Sequence, residues 1–221
     1  MVPMSRSNRT GRFFSFAKNE SGWADFFITR VGLILFAAIL LLAAFRIYPM
    51  YQEREIRSGL DAVTSDMTSK IEAVDSITIQ GYKYNYVFEE KRRNTRIEIS
   101  TGYVIAHTNL SSFIFGEREL AHAEPVMAHV YPPNSHWNNV SGFRKYVSDT
   151  IGDGKNGDGS SPLEFPVDKA KIDTIFGSIE KELALAPFIP DLDKPVFIEK
   201  VIIYYTNDAE ILERDYIFLY Q

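Results

Sequence analysis

The chain has 221 residues, a formal net charge of −5, 45% hydrophobic and 14% aromatic residues, and no cysteine. It is long enough for one good-sized domain plus an anchor and apolar enough to bury a core, which excludes a disordered tail. The acidic balance gives no ground for a nucleic-acid partner, and the missing cysteines exclude disulfides, thiol nucleophiles and thiolate metal sites.

Residues 1–23 read as a basic leader. From Phe26 to Tyr48 the sequence is FFITRVGLILFAAILLLAAFRIY. Its uncharged part, Val31–Phe45, falls short of the ~20 residues that cross a hydrocarbon layer. Arg30 and Arg46 bracket that part and can snorkel outward, so the expected span is 24–48, through Leu35 and Leu40. Trp23, Phe26, Phe27 and Tyr48 suit the two interfaces. A core helix would show a polar face, which this segment lacks. A cleaved secretory signal would end in a small-x-small site, whereas Ala43 and Ala44 are followed by Phe45 and Arg46. Arg6, Arg9, Arg12, Lys18 and Arg30 precede the span; Arg46, Arg54 and Arg57 follow it. That asymmetry places the N-terminus in the cytoplasm and the rest outside the cell membrane.

Over residues 49–76, Ile56, Leu60, Val63, Met67, Ile71 and Val74 recur at helical spacing, opposite Glu53, Arg57, Asp61, Asp66 and Lys70. One nearly continuous helix over 24–76 follows, with any bend at Pro49. The apolar stripe needs a cover, either the protein's own sheet or neighbouring subunits.

Residues 77–221 read as an α+β head. Ile77–Phe88 alternates, with Tyr82, Tyr84 and Tyr86 on one face. Arg96–His107 is a strand or a strand pair with Gly102 as a bulge, the charged link Glu89–Asn94 suits a hairpin loop, and Leu110–Phe115 continues the sheet. Pro132–Pro166 is a long irregular excursion with a short helix near Phe143–Thr150. Asp168 caps a helix over Lys169–Ala186 with Ile172, Ile175, Phe176, Ile179 and Leu183 on one face. Lys194–Thr206 and Glu210–Tyr220 form a hairpin turning at Asn207-Asp208. Val201, Ile203 and Tyr205 lie on one face and Ile202 and Tyr204 on the other, which predicts a central strand. The expected fold is therefore a long N-terminal helix packed on a mainly antiparallel sheet, with an additional C-terminal helix.

Site signals are sparse. His122, Glu124, His129 and His136 offer metal donors but fit no short metal motif, so ordinary polar surface is the reading preferred. Asn156, Asp158 and Ser160 alternate as calcium ligands would, with Glu164 following, but the full twelve-residue pattern fails; a turn-rich loop is the reading preferred, with calcium as the alternative. Asn109 and Asn139 head N-glycosylation sequons. No nucleophile elbow, phosphate loop or dinucleotide fingerprint is present, so the chain reads as a non-enzyme without a cofactor, calcium excepted.

The order of a basic leader, then ESGWADFF over residues 20–27, an all-apolar helix, its amphipathic extension and a β-rich head resembles a type IV pilin. It is closest in style to tight-adherence minor pilins and to pilin-like proteins of archaea. The resemblance implies assembly with pilus or secretion-machine subunits at the membrane. It also implies an acidic role for Asp25, whose carboxylate would pair with the processed N-terminal amine of a neighbour. A membrane-tethered module that binds a ligand or calcium is the competing expectation.

Overall fold

A computed structural model describes residues 19–79, 81–88, 95–112, 116–134 and 136–221. Residues 1–18 of the leader, the link Glu89–Asn94 and the expected strand continuation at 113–115 lie outside these. The chain divides into two compact units, Met1–Tyr51 and Gln52–Gln221.

A single helix, α1 (Asn19–Ser76), carries Pro49 inside it. It starts a few residues before the expected Ala24 and ends where the periodicity predicts. In the first unit, every side chain from Gly22 to Tyr48 is exposed. The second unit begins where the helix becomes amphipathic. There Leu60, Met67, Ile71 and Val74 are buried, and Ile56 and Val63 pack against the same core. The protein's own head therefore covers the stripe, while on the polar flank Arg57, Asp61 and Asp66 stay exposed and Glu53 and Lys70 are half-buried.

The head holds two sheets. The larger has the strand order β1 (Lys83–Tyr86), β7 (Val196–Asn207), β8 (Glu210–Tyr220), β5 (Val130–Tyr131), with β6 (Leu163–Glu164) also on β7. The smaller is an antiparallel meander of β2 (Thr95–Ile99), β3 (Tyr103–Ser112) and β4 (Gly116–Pro125). The predicted C-terminal hairpin is present, turning through Asp208 at φ 53°. Strand β7 is central as expected, flanked by β8 on one side and by β1 and β6 on the other.

Alternation along β7 and β8 sends side chains to two separate cores. Val196, Ile198, Ile217 and Leu219 face the α1 stripe and the inner row of the small sheet, Ile97, Ile99, Val104, Ala106 and Leu120. Val201, Ile203, Tyr205 and Phe218 face the other way. They pack on α2 (Val140–Ile151) through Phe143 and Val147, and on α3 (Val167–Leu185) through Ile172, Ile175, Phe176, Ile179 and Leu183. A central sheet buried on both faces explains why both faces of β7 are apolar.

Lys200 sits at the seam on the α1 side, 6% exposed. Its Nζ donates to the Asp75 carbonyl at 2.5 Å and lies 2.6 Å from Asp215 Oδ2. The ammonium thus meets the negative end of the α1 backbone dipole, and the partly exposed carboxylate completes its neutralisation.

Three expectations need correction. Strands β1 and β2 do not form a hairpin; they belong to different sheets. Arg96–His107 is the strand pair of its two readings, but Gly102 lies in the turn Ser100–Gly102 and not at a bulge; there Ser100 N–H donates to the Tyr103 carbonyl. Asp168 is not the α3 cap. Helix α3 starts after Pro166, and Asp168, 3% exposed in its first turn, accepts from Glu164 N–H at 2.9 Å and pairs with Lys171 at 3.1 Å. Burial works to raise its carboxyl, but these hydrogen bonds outweigh burial and hold it below the usual carboxylate range.

Candidate functional site

Among the described residues, α1 is the one helix long and apolar enough to cross a membrane, and no part of its apolar stretch is buried. Trp23 and Phe26 meet edge to face at a centroid distance of 6.3 Å, and the Arg30 guanidinium lies 4.4 Å over the Phe26 ring. Arg30 thus turns to the residue one turn earlier and not to Asp25, as its five-residue spacing from Asp25 predicts. Asp25 is exposed, and its backbone carbonyl accepts from the Thr29 hydroxyl at 2.7 Å. Leu35, Leu40 and Tyr48 are likewise exposed.

The loop before β6 is built by its own side chains. Asp158 Oδ1 accepts from Ser160 N–H at 2.9 Å, from the Ser160 hydroxyl at 2.7 Å and from Ser161 N–H at 2.8 Å. Asn156 Oδ1 accepts from Asp158 N–H at 3.2 Å. The Ser160 hydroxyl, helped by these backbone donors, holds the Asp158 carboxyl below its ordinary value against the opposing effect of burial. Gly157 (φ 71°) lets the loop lie close on β7: a Cβ there would come within 2.8 Å of Ile203 Cγ2. From behind, Arg144 donates to the carbonyls of Asn156 and Ile202, its guanidinium pulled down by burial despite the nearby Asp158. Glu164 is exposed on β6, where its N–H is the one donated to Asp168. Turn chemistry accounts for the Asn/Asp/Gly composition. A calcium ion at Asp158 Oδ1 would have to displace three hydrogen bonds.

Both sequon asparagines are exposed. Asn109 lies on β3, and Asn139 caps α2, its Oδ1 accepting from Gly142 N–H at 2.8 Å.

The four metal-donor candidates separate. His136 stacks on Tyr146 with ring centroids 4.8 Å apart. His129 Nδ1 lies 3.7 Å from Glu180 Oε1, the same oxygen that accepts from the Tyr131 hydroxyl. His122 and Glu124 do come together, joined by Asp61 of α1. His122 Nε2 is 3.1 Å from Asp61 Oδ1 and 3.5 Å from Glu124 Oε2. Sequence reasoning missed Asp61 because it is far along the chain, and assigned no element to 116–125, where β4 runs. The two β4 residues share a face by their spacing of two, and they face inward beside Leu120. Their cross-strand neighbours are Ala106 and Val104. The small Ala106 side chain leaves room for the imidazole.

No protein-family model, no curated protein and no solved structure matches the chain.

Proposed function

We propose that this protein is a single-pass membrane-anchored subunit or accessory protein of a pilus-like or secretion assembly, with a structural and not a catalytic role. The observation that carries this reading is one helix with two characters. It is exposed from Gly22 to Tyr48 and apolar all round from Val31 to Phe45, then amphipathic with its stripe buried in a β-rich head. An all-round apolar helix needs lipid or other apolar helices as its surroundings. Lipid and assembly subunits are the partners this implies, and no cofactor is required.

The absence of native cysteine makes the test clean. In intact cells, an impermeant maleimide should label Ala209→Cys in the exposed β7–β8 turn and leave Ser5→Cys unlabelled until the membrane is opened. Both proteins should stay in the membrane pellet after an alkaline wash. Release by the wash, or the reverse labelling pattern, would sink the anchor reading.

The pilin part rests on Asp25. At headgroup depth near the start of a helix a carboxylate is solvated and favoured by the helix dipole. In the pilin reading it lies inside a subunit interface against an amine. Asp25→Asn should then abolish co-purification with assembly components while membrane insertion is retained, and Asp25→Glu should assemble. Normal assembly of Asp25→Asn removes Asp25 from that role.

A further inference from the structure

We propose that Asp61, His122 and Glu124 form a binding site for a divalent first-row transition ion, Zn2+ being the probe, which clips α1 to the edge strand β4. Among the described residues, these three donor groups converge within 4.8 Å of one another. One comes from a helix and two from alternate inward positions of a strand, so the backbone of two different elements sets the site.

The two separations at His122 match the spacing of donors in a coordination shell. Zn2+ takes nitrogen and oxygen donors at about 2.0–2.2 Å, so two donors on one ion lie about 3.0 Å apart at a right angle and about 3.4 Å apart at the tetrahedral angle. The two nitrogen–oxygen separations at His122 are 3.1 and 3.5 Å.

A plain ion pair explains the arrangement less well. Asp61 Oδ1 is near enough to accept a hydrogen bond from Nε2. Yet Nε2 has no hydrogen-bond partner and is shut off from solvent. The oxygen therefore stands off the line of the ring nitrogen. An ion on that line would meet Nε2 head-on and the two carboxylates from the side.

His107 provides the internal contrast. Its ring nitrogens are likewise buried without a hydrogen-bond partner and it too has two carboxylates, but one lies at each nitrogen: Glu119 3.1 Å from Nδ1 and Glu98 3.7 Å from Nε2. That histidine bridges two acids on opposite sides, while His122 gathers two acids at one atom.

The donor set also selects the ion. One imidazole and two carboxylates suit Zn2+, Mn2+ or Co2+ better than Mg2+ or Ca2+, which prefer oxygen alone. Three protein donors leave at least one position for water. Two carboxylates neutralise the ion, so the occupied site carries no net charge.

The experiment is calorimetric titration of the full chain in detergent micelles, purified without a histidine tag, with Zn2+. Co2+ absorption reads the ligand field in parallel. We expect one equivalent bound and a melting temperature raised by Zn2+. Loss of one ligand should weaken binding by about 100-fold or more, because outer partners alone are worth about 10–100-fold. H122A, D61N and E124Q should each show that loss, while H107A binds as wild type. D61N changes an exposed helix residue, so it folds and reports even where H122A does not. The proposal is overturned if the wild type takes up no Zn2+, if D61N and E124Q bind it with wild-type affinity, or if H107A removes the binding instead.

Discussion

Phe218→Ala should cost the head about 3–5 kcal/mol of stability, the usual range for truncating a buried phenylalanine. Phe218 is fully buried on β8, between its partners Glu199 on β7 and Tyr131 on β5. Its ring lies 4.7 Å from Phe143, 5.0 Å from Trp137, 6.2 Å from Tyr131 and 6.3 Å from Phe176, centroid to centroid. Four neighbours fixed on three different elements and a loop cannot close over the void, so the cavity term adds to the lost burial. Denaturant unfolding followed by Trp137 fluorescence, in a Trp23→Phe background, measures it directly. Ile211→Ala on the exposed end of the same strand should change stability by no more than about 0.5 kcal/mol. A Phe218→Ala loss under about 1 kcal/mol would contradict the packing described.

Asp215→Ala should cost about 1.5–3 kcal/mol at neutral pH, the range for hydrogen bonds to a charged group. The substitution leaves the buried Lys200 ammonium with the Asp75 carbonyl and removes its counter-charge. The effect has a pH signature. The hydrogen bond from Lys200, against the opposing effect of burial, holds the Asp215 carboxyl below its ordinary value. A carboxyl with a lowered folded-state pKa contributes its stability in full above the unfolded value of about 3.9 and loses it as pH falls through the lower folded-state value. Wild type and Asp215→Ala should therefore differ by a constant amount from neutral pH down to about pH 4, then converge in stronger acid. Unfolding curves at a series of pH values test this. A difference that grows on acidification would reverse the assignment.

The elements with strong periodicity were legible in the sequence. The stripe from Ile56 to Val74 marked the second half of α1, the tyrosines at 82, 84 and 86 marked the strand, and Asn207-Asp208 marked the hairpin turn. Strand β4 was not legible, for a physical reason. Its outward row holds Ala121 and Ala123, its inward row holds His122 and Glu124, and Leu120 is the one fully buried side chain on it. Nothing in that alternation separates apolar from polar; ten residues of pairing with β3 make the strand. The cluster around His122 was hidden for a second reason. Asp61 meets it only because α1 and β4 share one core, and such long-range contacts leave no local mark. Asp168 was displaced because Pro166 already begins the helix, which frees the carboxylate to reach back to Glu164 N–H.

The Lys200–Asp75 contact closes a sequence separation of 125 residues. During synthesis the apolar stripe of α1 is made long before β7 and β8, against which it packs. At roughly 5–20 residues per second the interval is about 6–25 s. Throughout that time Leu60, Met67, Ile71 and Val74 lack the β7–β8 part of their native cover, although the preceding apolar segment is already available for insertion. The ribosome thus releases a sticky amphipathic helix whose lid arrives last, and contacts of such high order also slow closure once the lid exists. A nascent chain arrested before Val196 is for this reason the form of the protein that a holding chaperone should capture.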